Sequence, residues 1–150
     1  MRLGRAVASG FGAGFAPVAP GSVGSAVATV LGAGLLAAPG WALPCAAATA
    51  SLGGVWAIRA AGVEGDPGWV TIDEVAGQWI TLLGLARPTV VGLVAAFLLF
   101  RMLDVVKPGP VGWADRQEGA AGIMADDLIA GALAAGVLWA VRMRWPGVFG

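Results

Sequence analysis

The chain has 150 residues, 58% of them hydrophobic and 12% charged, with no net charge. An ordinary soluble domain is about 25% charged, so this composition suits a bilayer better than water. Zero net charge without a basic run excludes a nucleic-acid partner, the single Cys45 excludes an intrachain disulfide, and the lack of histidine excludes histidine catalysis or ligation.

The length suits one integral membrane domain over 1–150, an all-α polytopic bundle of roughly four to five helices. Glycine and proline interrupt the N-terminal stretch, so it lacks the compact apolar core of a signal peptide and is taken as mature sequence. Residues 10–24 are predicted as a glycine/proline-rich loop, with Ser22 and Ser25 placed to cap the next helix. The uncharged run 22–38 is a short spanning helix ending at Pro39-Gly40, and 41–58 is the second. A first polar loop follows, AGVEGDPGWVTIDE. The third apolar run, EVAGQWITLLGLA, is short: a helix of that length reaches roughly 18 Å of a ~30 Å core, so it starts in a recessed site, tilts or spans in part. Residues 89–103 form the fourth helix, 104–122 a second polar loop, and 123–141 the last helix, with Asp126 and Asp127 in its first turn.

Hairpin alternation puts 10–25, 59–74 and 101–127 on one membrane face. All nine acidic residues fall on that face, and so does the larger share of the basic ones, which predicts that it is cytoplasmic. Three acidic elements stand out: Asp73-Glu74, Asp104 and Asp126-Asp127. Acids also cap helices, and capping alone accounts for either pair. Against it, Asp126 and Asp127 sit in an apolar helix, and neither pair has a basic residue within its own turn. Converging carboxylates without local cations suggest a bound cation, and oxygen-only ligands suit magnesium, calcium or manganese. Asp104 stands at helical spacing from Arg101 and Lys107. Arg101, Lys107 and Arg116 are either interfacial anchors or a phosphate clamp. The loop GFGAGFAPVAPGSVGS, with Gly21, Ser22 and Ser25, leads into a helix N-terminus that can bind phosphate oxygens. Carboxylates, a hard cation and phosphate-binding groups together make a phosphoryl-transfer site. The chain has neither a cysteine followed six residues on by arginine nor paired aspartates two residues apart in TIDEV. What remains is water activated by the metal, with a carboxylate as base, or an acid acting as nucleophile.

Four blocks, GFGAGFAPVAPGSVGS, VTIDEVAGQWITLL, FRMLDVVKPGPVGWADR and GIMADDLIAG, give the chain a resemblance to the phosphatidylglycerophosphatase A family, covering about residues 10–138. The resemblance implies a magnesium-dependent enzyme of the inner membrane that removes the terminal phosphate of phosphatidylglycerophosphate. Its partners would be the phospholipid and the membrane, with a homo-oligomer left open. Catalytic roles are expected at Asp73, Glu74, Asp126 and Asp127, metal ligation at these and Asp104, and phosphate binding at Gly21, Ser22, Ser25, Arg101, Lys107 and Arg116. One departure is Gly119-Ala120-Ala121-Gly122, where the family has Gly-Gly-x-Gly. Two other readings are weighed. ADRQEGAAGIMADD is faintly similar to the acidic motif of CDP-alcohol phosphatidyltransferases, but its aspartates lack that spacing. A small ion transporter would instead distribute its charges at different depths.

Overall fold

The shortest predicted helix turns out to be the hub. In the computed structural model, which describes residues 2–149, α4 (Ile72–Leu82) packs against α2 (Pro20–Ala37), α3 (Ala42–Ala61), α5 (Val90–Val106) and α7 (Gly119–Arg144). The remaining elements are α1 (Arg2–Ala8), a 3₁₀ segment over Gly10–Phe15, and α6 (Pro110–Asp115). The described residues are all-helical, as expected, but hold eight helical elements rather than four or five. The extra elements are α1 before the predicted loop 10–24, the 3₁₀ segment within it, and α6 within the predicted loop 104–122; the two loops also hold the first turn of α2 and the start of α7.

Among the described residues, two helices, α2 and α7, are both long and apolar enough to cross a membrane. α5 has 17 residues, and α3, with 20, is diluted by serine, threonine, glycine and Arg59. Four or five spanning helices are therefore not what the described residues show. Large apolar side chains nevertheless face outward on α2, α3 and α5, among them Val30, Leu52 and Val90, each more than 70% exposed. A soluble monomer seldom leaves apolar surface this continuous.

Small residues let α4 sit in the middle. A Cβ on Gly131 of α7 would collide with the Gly77 carbonyl of α4, and one on Gly77 would lie 2.6 Å from the Asp127 carbonyl oxygen. This backbone-to-backbone approach is the packing that small residues permit between apolar helices. On the opposite side, Trp79 donates its indole N–H to the Ala28 carbonyl of α2 at 2.9 Å, while the Thr71 N–H bonds the Ala8 carbonyl at the end of α1. α4 is thus fixed in depth and rotation from three directions, and its first turn carries Asp73 and Glu74.

Two boundary predictions are corrected. Ser22 and Ser25 do not cap α2: Ala19 holds the N-cap position, Pro20 begins the helix, and both serines lie inside it. Pro20, within the predicted loop 10–24, instead opens the helix, where its missing N–H costs nothing. α7 begins four residues before the predicted start, so Asp126 and Asp127 stand about two turns in and its first turn has no acid. Helix capping therefore does not explain this pair.

Candidate active site

Five carboxylates from three helices converge at one end of the bundle. Oxygens of Asp73, Glu74 and Asp127 lie within 4.8 Å of one another, and so do oxygens of Asp104, Asp126 and Asp127. Asp127 belongs to both trios. It is 3% exposed, and its Oδ1 has no protein partner. Glu74 Oε2 is likewise buried and unpartnered. Asp73 accepts the Glu74 N–H at 3.0 Å, so one of its oxygens orders the first turn of α4. Capping thus describes part of what Asp73 does and nothing of Asp127.

Neither acidic pair has a basic residue within its own turn, but the tertiary structure supplies two cations. Arg101 forms an ion pair with Asp104 and approaches Glu74 at 4.0 Å. Lys107 pairs with Asp115 and, at 2.7 Å, with Asp126. Lys107 ends α5 as its C-cap in a left-handed conformation, and its N–H bonds the Leu103 carbonyl. Burial works against its charge, but the carboxylates of Asp115 and Asp126 outweigh that and hold its pKa above the ordinary lysine value. Two cations still leave five converging carboxylates under-neutralised. Buried charge of one sign is costly unless paired or coordinated. An all-oxygen set with unpartnered Asp127 and Glu74 oxygens fits a hard cation, so these clusters could bind a metal ion.

The expected phosphate-binding residues are placed unequally. Gly21 meets Glu74 and Arg101 directly: a Cβ there would run into the Glu74 carboxylate and sit 3.4 Å from the guanidinium. The first turn of α2 therefore closes one side of the site because residue 21 has no side chain. Ser22 is half-buried in that turn. Ser25 is fully buried and donates its hydroxyl to the Gly21 carbonyl at 2.8 Å, which commits its proton to the helix. Arg116 is exposed and lines a cleft of about 550 Å³ together with Glu64, Asp66, Asp115, Glu118 and Asp126. The cleft and the two trios between them take in all nine acidic residues of the chain. Such gathering is not the distribution over depth that an ion pathway needs. Arg87 and Arg142 share a separate cavity with Pro146 and Phe149.

The departure at Ala120 is harmless to the backbone. The positive φ in that segment belongs to Gly119 (φ +79), Ala120 lies within α7 in ordinary helical conformation, and Gly122 is retained where a Cβ would strike the Gln117 carbonyl. What sequence reasoning missed is Asp115 as a partner of Lys107, and the Gly77–Gly131 contact that brings Asp127 to α4. Glycines four or so residues from acidic motifs were the available signal for the second.

Comparison with known proteins gives the family. The phosphatidylglycerophosphatase A family model matches residues 6–142. Phosphatidylglycerophosphatase A of Escherichia coli K12 is 36% identical over an alignment taking in 93% of this chain and 84% of that protein. The Haemophilus influenzae protein of the same name is 35% identical, covering 91% of the chain and 86% of its own length. A Bacteroides thetaiotaomicron protein named "Putative phosphatidylinositol-3-phosphatase" is also 35% identical, covering 83% and 84%. No solved structure matches. With the family model spanning nearly the whole chain and the acidic motifs drawn into one site, this chain belongs to the phosphatidylglycerophosphatase A family.

Proposed function

We propose that the chain hydrolyses the terminal phosphomonoester of phosphatidylglycerophosphate to give phosphatidylglycerol, working as one domain over its whole length. The observation that carries this reading is the pair of carboxylate trios joined at Asp127. In the reaction, a water oxygen bonds to phosphorus and the bond from phosphorus to the glycerol oxygen breaks. A carboxylate among Asp73, Glu74, Asp126 and Asp127 accepts the proton of the attacking water, and the departing glycerol oxygen takes up a proton. Arg101 and Lys107 neutralise the phosphate and the charge that grows on it, with the backbone of the α2 first turn at Gly21 and Ser22 alongside. Ser25 holds that turn in place, and Arg116, farther out on the cleft wall, draws the headgroup in. Magnesium is the cation we assign to Asp73, Glu74, Asp104, Asp126 and Asp127; when bound, it supplies Lewis-acid polarisation of the phosphoryl group.

The assay is direct. Protein purified in detergent should release phosphate from phosphatidylglycerophosphate with magnesium, and EDTA should stop it. Phosphatidylinositol 3-phosphate, suggested by the name of the Bacteroides relative, should be the poorer substrate. Full activity in EDTA sinks the metal assignment, and preference for the inositol lipid sinks the substrate.

The same reading places the protein in the inner membrane with the acidic end in the cytoplasm. The belts of exposed Val, Leu and Trp support the membrane, and the basic residues near the acidic end support the orientation. Cysteines introduced at Gly65 and Gly119 in a Cys45→Ser background should stay unlabelled by a membrane-impermeant thiol reagent in intact cells. Labelling of both from outside would invert the orientation.

A further inference from the structure

Between α2 and α5 runs an apolar groove of about 320 Å³, walled by Ala26 and Val30 on one side and by Val90, Val94 and Phe97 on the other. From Val90 to Phe97 it rises about 10 Å, a large part of one ~15 Å leaflet. Its upper end aims at the site. One helical turn beyond Phe97 on α5 is Arg101, and one turn before Ala26 on α2 is Ser22. Beside Ser22, Gly21 faces Glu74 and Arg101 where a Cβ would meet both, so the two walls of the groove end on either side of the Glu74–Arg101 approach. An apolar slot that leads to a guanidinium has the charge order of a lipid phosphate: tail below, anion above.

We propose that the α2–α5 groove seats one acyl chain of the lipid phosphomonoester and so sets its headgroup against Arg101. The assignment rests on the phosphatase reading above and adds where the tail lies. A second groove of about 520 Å³ lies between α2 and α3, reaching Gly53, Val75 and Trp79. No charged residue lines either groove, but the second runs beneath the Gly10–Ala13 segment and reaches Ile72, beside the acidic Asp73, whereas the walls of the first lead on to Arg101. Charge complementarity therefore favours the first. Lipid tails are as apolar as the groove, so seating a chain there releases no surface from water. What the groove contributes is register: a headgroup displaced by an ångström or so reacts more slowly.

The test compares dioleoyl with dihexanoyl phosphatidylglycerophosphate, the second too short to fill the groove, using the full-length protein. Ala26→Trp and Val94→Trp, one on each wall, should each lower kcat/KM for the dioleoyl lipid about tenfold and leave the dihexanoyl lipid within about twofold, as a loss of positioning does. Activity on the short lipid also reports that each variant folds. Leu52→Trp, equally lipid-facing on α3 but outside both grooves, should leave both substrates unchanged. Three results overturn the assignment: no loss in either groove variant, equal loss on both lipids, or chain-selective loss in Gly53→Trp in place of the α2–α5 pair. Failure of the parent protein to release phosphate from either lipid overturns the phosphatase reading itself, and this one with it.

Discussion

Asp127→Asn should lower phosphate release by about a thousandfold at saturating magnesium, without loss of folded protein. Both carboxylate trios use this residue, so one substitution damages both. Losing a ligand or base role of this kind costs roughly 3–5 kcal/mol of transition-state stabilisation. Asparagine keeps the shape and removes one of five like charges packed together. Thermal unfolding in detergent without magnesium should therefore occur at the same temperature or higher, because repulsion in the empty cluster falls. Opposite signs for rate and stability separate a chemical role from a structural one. A helix cap would lose about 1 kcal/mol of stability and keep its turnover. Near-parental rates for Asp127→Asn would place the active site elsewhere.

Arg101→Ala should cost about a hundredfold or more in kcat/KM, and Arg101→Lys should recover only part of it. The guanidinium spans Asp104 and Glu74, and its Nε is buried without a protein partner. That leaves donors for a phosphate, and a planar fork can give two parallel bonds where an ammonium gives a point charge. The split between constants is informative. A clamp that also meets the growing transition-state charge lowers kcat, whereas one that only holds the ground state raises KM alone. An interfacial anchor would change neither. Parental kinetics for Arg101→Ala would remove it from the site.

Much of this was legible in the chain. The gathering of the acids and the helical spacing of Asp104 from Arg101 follow from hairpin order and helix period, because charge is expensive in apolar surroundings and segregates visibly. Two kinds of fact were not. Helix starts in glycine-rich sequence leave weak local signals, so α7 was begun too late and Asp126 and Asp127 looked like first-turn acids. Depth and neighbourhood are also tertiary. Nothing local marks α4 as the hub, Gly77 and Gly131 as touching, or Lys107 as bridging from the end of α5 to α7. The apparent lack of cations near the acidic pairs was a property of the sequence alone. The structure supplies Arg101 and Lys107 to them from α5, which leaves an excess of negative charge smaller than the sequence implied.

Lys107 carries a cost that its neighbours make visible. Its backbone is left-handed at φ +51, a conformation in which an ordinary side chain costs on the order of 1 kcal/mol and which glycine adopts freely. Helices commonly end in glycine at such a place. A selection for thermal stability alone would favour glycine at 107, and with it would go the ammonium between Asp115 and Asp126. Engineering this protein for robustness therefore carries a specific hazard: the substitution that best suits the end of α5 is one that removes one of the two cations facing the carboxylate cluster.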